Sequence, residues 1–182
     1  MGKAKKPQRV KLVIGMLTKN KKLFDLLEEF FVDQFGEIDY RSQILLFDHT
    51  DYYKKEMGGP LKRRFVSFRK LIPPGDIAKI KITTNSLEEE FSCRKKALSK
   101  RRVNIDPGYI SDSKLILATT KDYFHRIYLN KGMYAEVTLA WRSGTFQSFK
   151  WTYPDYKTAD YISILNGIRE RYMKERSGNN AR

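Results

Sequence analysis

The stretch FHRIYLNKGMYAEVTL, Phe124 to Leu139, constrains this chain more than any other part of it. Asn130-Lys131-Gly132 reads as a three-residue turn with Gly132 at the left-handed position, so the flanking residues must fold back as an antiparallel hairpin. That register pairs Leu129 with Met133, Tyr128 with Tyr134, Ile127 with Ala135 and Arg126 with Glu136. Strand residues alternate sides. His125, Ile127, Leu129, Met133, Ala135, Val137 and Leu139 therefore form one face, expected to be core. Phe124, Arg126, Tyr128, Tyr134, Glu136 and Thr138 form the other. His125 is expected to be a hydrogen-bonded structural histidine on the side away from Arg126.

The second face has two readings. As solvent-exposed surface, its cross-strand ion pair contributes under about a kcal/mol. As the floor of a pocket, Arg126 meets an anion and Glu136 acts as base or metal ligand. The two tyrosines beside the pair favour the pocket.

Around the hairpin the chain alternates strand and helix signals. VKLVIGML is a short apolar run that fits a buried strand. In KNKKLFDLLEEFFVDQFG, Leu23, Leu26, Leu27, Phe30 and Phe31 recur at helical spacing and Gly36 supplies a stop. IDYRSQILLF and RRFVSFRKL follow as strands, AKIKI alternates like a further strand, and Ser86 with Glu89 suggests a capping box opening a helix at SLEEEF. KLILATTK echoes KLVIGMLTK, and Ser111 is an alternative helix cap just before it. Ser143-Gly144 marks a second hairpin turn, and TADYISILNGIRERYMKE a closing helix capped by Thr158. The expected class is α+β: a single domain over 9–176, a largely antiparallel sheet with helices packed on one face, a ferredoxin-like sandwich being one version. Residues 1–8 are expected to be a disordered basic arm and 177–182 a disordered tail.

Charge and cysteine content bound the partners. One cysteine, Cys93, allows no internal disulfide and fits a reducing cytoplasm. No apolar run approaches a membrane span, so no membrane partner is expected. The formal net charge is +15. Lys3, Lys5, Lys6, Arg9 and Lys11 in the first segment, with Arg94, Lys95, Lys96, Lys100, Arg101 and Arg102 in the second, are accompanied by no acid. An anionic partner follows, either a small molecule or nucleic acid. The alternative is a solvated basic face.

FDHTDYYKKEMG packs Asp48, His49, Asp51, Tyr53 and Glu56 into one loop, where Asp48 and Asp51 with Glu56 suggest a Mg²⁺ site. GGPLKRR offers Lys62, Arg63 and Arg64 to phosphate without being a Walker A sequence. NIDPG reads as a turn holding Asn104 and Asp106, and WTYPDY as an aromatic loop that stacks a base or lids the core. Two histidines and one cysteine rule out a typical zinc site, and neither a G-x-S-x-G elbow nor a Rossmann fingerprint is present.

These motifs together, FDHTDYYKKEMG, LKRRFVSF, NIDPGYISDSKLILATTKD, HRIYLNKGMYAEVTL and WTYPDY, resemble a bacterial family known only as a domain of unknown function. The resemblance runs from Val10 to about Tyr172 and implies a single-domain bacterial protein without supplying a reaction. Some relatives carry a GTP-binding label, for which this sequence has no phosphate loop and no base-reading Asn-Lys-x-Asp.

Two functions are expected. In the first, an enzyme or binding protein takes a phosphorylated or nucleotide-like ligand: Arg126, Lys114 and Lys121 contact the anion, Glu136, Asp48 and Asp51 act as base or metal ligands, and Tyr128, Tyr134 and Tyr53 orient or stack it. That reading requires these side chains to converge on one cavity. In the second, an RNA- or DNA-binding module uses the basic clusters and exposed aromatics.

Overall fold

In a computed structural model, residues 2–50, 53–95 and 98–179 are described. Residues 2–9 have no regular structure, and Val10 pairs with Ile72 in an isolated bridge. The elements are β1 (Lys11–Thr18), α1 (Lys22–Phe35), β2 (Ile38–Arg41), β3 (Leu45–Phe47), α2 (Lys54–Met57), β4 (Leu61–Phe68) and α3 (Ile77–Glu90). A small hairpin of β5 (Cys93–Lys95) and β6 (Leu98–Lys100) precedes β7 (Val103–Ile110). Then come β8 (Lys114–Thr119), β9 (Ile127–Asn130), β10 (Met133–Arg142), β11 (Thr145–Ser148) and α4 (Ala159–Asn179), whose last turn occupies part of the expected tail.

The main sheet is antiparallel throughout, in the order β11-β10-β8-β7-β1-β4-β2 with β3 beside β4 and β9 beside β10. Its first half is a ferredoxin-like unit: β1, α1, β2, β4, α3 and β7 succeed one another, and β7-β1-β4-β2 lie in the split βαβ order. The second half adds β8, β10 and β11 next to β7.

β1 is buried along its whole length because both its faces are covered. Leu12, Ile14 and Met16 pack with Phe24, Leu27 and Phe31 of α1 and with Ile77, Ile80 and Leu87 of α3. Val13 belongs to the opposite layer, with Tyr161, Ile164, Leu165, Ile168 and Tyr172 of α4. Packing on one face thus describes α1 and α3, while α4 covers the other face over Phe65, Ile110, Leu115 and Leu139. Lys11, with no exposed surface, is neutralised by Asp39 and Glu175, the latter on α4.

Two local expectations give way to tertiary context. AKIKI is helical, within α3, and Ser86 lies mid-helix instead of capping it. Ile77, Ile80, Thr84 and Leu87 are spaced for a helix face, and a three-residue 3₁₀ turn over Pro74–Asp76 starts the helix earlier. NIDPG is strand, within β7. Pro107, with no N–H to offer, falls just before the first residue that pairs with β8.

The hairpin closes one residue tighter than expected. Lys131 and Gly132, at φ 48° and 75°, form a two-residue turn that pairs Asn130 with Met133. Leu129 becomes the extra residue, and Tyr128–Tyr134 and Ile127–Ala135 pair as expected. Thr138 bulges in the same way against β8. Each bulge shifts the alternation of faces. Ile127, expected in the core, is 70% exposed, and Glu136, on the expected polar side, is 2% exposed.

Candidate functional site

β7 and β8 diverge, and the candidate site lies in the fork. β7 pairs with β1 along Val103–Ile110 but with β8 only over Gly108–Ile110. There the strands approach so closely that a Cβ on Gly108 would lie 2.3 Å from the Ile116 carbonyl oxygen. Beyond it α3 takes the place of β8: Lys81 Nζ donates to the Ile105 carbonyl at 2.8 Å, and the Ile105 N–H donates to Glu88 Oε1 at 2.6 Å. Two side chains thus satisfy a strand edge that would otherwise be buried unpaired. A cavity of about 800 Å³ occupies this region, within the range of small-molecule sites.

A charge network runs along its floor. Arg63 of β4 is 2% exposed; its Nη1 donates to Asp106 Oδ2 at 2.8 Å and its Nη2 to Asp155 Oδ2 at 3.3 Å. Gly15 on β1 makes room for it, since a Cβ there would approach Arg63 Nη1 to 3.1 Å. The guanidinium also lies over the rings of Phe47 and Phe65. Asn104 donates to Asp106 at 2.6 Å, and Arg101 donates to Asn104 at 2.5 Å and to Glu88. Arg63 Nε and the Tyr156 hydroxyl are buried without a hydrogen-bond partner among the described residues.

The second wall carries the hairpin pair. Arg126 Nε donates to Glu136 Oε2 at 2.8 Å, Nη1 to the Lys121 carbonyl at 3.0 Å and Nη2 to Tyr153 Oη at 2.7 Å, with the Tyr123 ring 4.4 Å from its Cζ. Glu136 also accepts from Thr138 at 3.1 Å. His125 Nε2 lies 3.2 Å from the same Glu136 oxygen, and its ring stacks on Trp151. His125 and Arg126 therefore meet on one carboxylate, against the expectation that they point apart. Arg126 precedes β9, in a turn closed by its own N–H to the Tyr123 carbonyl, so strand alternation does not apply to the pair. Tyr153-Pro154-Asp155 joins the two walls, Tyr153 on Arg126 and Asp155 on Arg63.

Burial and neighbours push the carboxylates apart. Burial raises Asp155, and Arg63 offsets only part of it, so its proton is held to higher pH than usual. Burial also acts on Asp106, but Arg63, Lys81 and Asn104 outweigh it and leave its carboxyl below the usual range. Glu88 is raised by burial despite Lys81, Arg101 and the Ile105 N–H. For Arg63, burial opposes the charge, but Tyr161, Asp106, Tyr156 and Asp155 more than compensate. The two carboxylates on one guanidinium are thus shifted in opposite directions.

Of the residues expected to contact the ligand or act on it, Glu136, Arg126, Lys121 and Tyr53 line this cavity, as do His49 and Glu56 of the FDHTDYYKKEMG loop and Arg101 of the second basic cluster. Asp48 does not: its side chain is 86% exposed, beside His49. Asp51 lies outside the described residues. Lys114 sits at the far end of β8, opposite Ala140, and Tyr128 and Tyr134 pack on each other at 5.4 Å away from the cavity lining. No group of three or more His, Cys, Asp or Glu suited to a metal occurs among the described residues, and Asp51 of the expected Mg²⁺ set lies outside them. The floor residues were present in quoted motifs: Arg63 in GGPLKRR, Asp106 in the supposed NIDPG turn, Tyr153 and Asp155 in WTYPDY. Lys81, in the AKIKI expected to be a strand, and Glu88, in SLEEEF, gave no signal beyond their charge.

A family model described as Domain of unknown function (DUF4416) matches residues 8–172. No curated protein and no solved structure matches the chain.

Proposed function

The chain belongs to the DUF4416 family, whose activity its description leaves open, and from the cleft alone we propose that the protein binds a small phosphorylated or nucleotide-like molecule between β7 and β8. The observation that carries this reading is the composition of the wall. Arg63, Lys81, Arg101, Lys121 and Arg126 share it with Glu56, Glu88, Glu89, Asp106, Glu136 and Asp155, and with Tyr53, Tyr123 and Tyr153. A plain anion trap would not carry that many carboxylates. A ligand with phosphates for the cations, hydroxyls for the carboxylates and a planar group for the tyrosines uses all three.

The test is thermal stability against ATP, GTP, AMP, ribose 5-phosphate and inorganic phosphate, each with and without Mg²⁺. A ligand at about a hundred times its Kd adds roughly 2.7 kcal/mol, an upward shift of about 5–10 °C for a chain of this size. Asn85, on α3, and Lys121 also line the cleft, and Asn85→Ala and Lys121→Ala leave the Arg63–Asp106–Asp155 side chains in place and should reduce the shift. A flat panel, or a shift that both variants leave intact, overturns the reading.

A further inference from the structure

Among the described residues the most exposed large apolar side chain is Phe124, and Tyr123, Ile127 and Tyr153 are exposed in the same part of the chain's sequence or hydrogen-bond network, whereas Leu26 and Val32 of α1 and Leu46 of β3 are exposed elsewhere. Phe124 is 92% exposed, Ile127 70%, Tyr123 50% and Tyr153 42%. The rings form a connected series. Phe124 meets His125 edge-on at 4.9 Å, His125 stacks on Trp151 at 5.5 Å, and Trp151 stacks on Phe149 at 4.7 Å with the planes 3° apart. On the other side Tyr123 lies beneath Arg126, which holds Tyr153. The support is rigid, because His125 faces the buried Glu136 and Trp151 Nε1 donates to the Val137 carbonyl at 2.9 Å. An exposed apolar ring seated on a supported aromatic cluster is the kind of surface that marks an interaction site.

The surroundings say what kind of partner. Lys121, Lys131, Arg142 and Lys150 are exposed in the same segments, with Asp122 as the exposed acid. Arg142 reaches over the Phe149 ring. The chain as a whole carries +15. We propose that this ring series is a docking surface for single-stranded nucleic acid, its bases stacking on Phe124 and the neighbouring rings and its phosphates meeting the flanking lysines and Arg142. The proposal goes beyond the cleft reading, since Phe124 and Trp151 do not line the cleft. Stacking on an aromatic platform with cations tracking the backbone is how single strands are held without sequence preference. A second copy of the chain is the poorer occupant, because a two-fold interface here would set lysines against lysines.

The experiment is fluorescence anisotropy of the full chain with end-labelled 12-nucleotide oligo(U) RNA, oligo(dT) DNA and a DNA duplex, repeated across salt concentrations. Single strands should bind more tightly than the duplex, with log Kd linear in log salt. Phe124→Ala, at a side chain almost wholly in solvent, should weaken single-strand binding at least about five-fold at fixed salt. Lys131→Gln with Lys150→Gln should lower the salt slope by about one or more. Preference for RNA would mean that the 2′-hydroxyl is read, and equal affinity that stacking and phosphate suffice; both support the proposal. No binding at low salt, binding indifferent to Phe124→Ala, or a sedimentation profile showing a dimer that Phe124→Ala dissociates would each overturn it.

Discussion

Glu136 Oε2 accepts the Arg126 Nε hydrogen at 2.8 Å with both side chains 1% exposed. A cross-strand pair of this kind on solvent-exposed surface contributes little. Out of water the asymmetry is large, since removing either partner leaves the other charge buried and unpaired.

Glu136→Ala should therefore destabilise the protein by about 3–5 kcal/mol, whereas Glu136→Gln, which still accepts a hydrogen bond, should cost less. The double variant Arg126→Ala/Glu136→Ala should be less damaged than the sum of the two single variants. Urea unfolding of the four proteins measures the coupling. Strictly additive losses would show that the pair does not act as a unit.

Gly108 and Gly167 should respond to alanine with opposite signs. A Cβ at Gly108 collides with the Ile116 carbonyl at 2.3 Å, so Gly108→Ala must part β7 from β8 where they last touch, at a cost of about 1–3 kcal/mol or more. Gly167, within α4, has nothing within 4 Å of its missing Cβ. Gly167→Ala should stabilise by about 0.5–1 kcal/mol, by restricting the unfolded chain and favouring helix. Melting temperatures of the two variants should lie on either side of the wild type.

The two carboxylates on Arg63 should shape the pH profile in opposite directions. Asp106 has a lowered folded pKa, so the stability it contributes is present above its unfolded value of about 3.9 and is lost as pH falls through the folded one. Asp155 has a raised folded pKa, so its contribution is present below about 3.9 and lost as pH rises through the folded value. Asp106→Asn should flatten the acid limb of the stability curve, and Asp155→Asn the decline above pH about 4. Unchanged slopes in either variant would count against the network as drawn.

Lys81 and Glu88 stand in for a strand at Ile105, so their loss should be felt locally. Lys81→Met leaves the Ile105 carbonyl without its donor and should cost about 1–3 kcal/mol. Glu88→Gln retains an acceptor but removes its charge, and amide exchange at Ile105 should accelerate in that variant. Exchange at Ile105 equal to wild type would mean that the edge is protected by something else.

Turn residues and periodicity carried much of the fold. Gly132 and Ser143-Gly144 announced their hairpins, and both turns have the positive φ angles that such residues favour. The apolar spacing of Leu23, Leu27 and Phe31 gave α1, and Gly36 at φ 94° ends it. AKIKI misled because a few alternating residues match a strand as well as one side of a helix, and only packing against β1 decides. NIDPG misled because Asn, Asp, Pro and Gly are turn formers, whereas here Pro107 and Gly108 serve a strand at the point where its neighbour departs. For Glu136 the opposite charge across the hairpin was visible, but its burial was not.

By itself the sequence determined the local matters: where the chain turns, which segments bury an apolar side, and that the whole is a basic α+β domain. The tertiary structure alone decided where the sheet forks and which charges share the fork. Arg63 meets Asp106 and Asp155 across 43 and 92 residues of chain. Periodicity records how a residue stands relative to its neighbours in sequence. It carries no record of which distant strand lies beside it, where that strand leaves, or whether a charge left in the gap faces water or another charge.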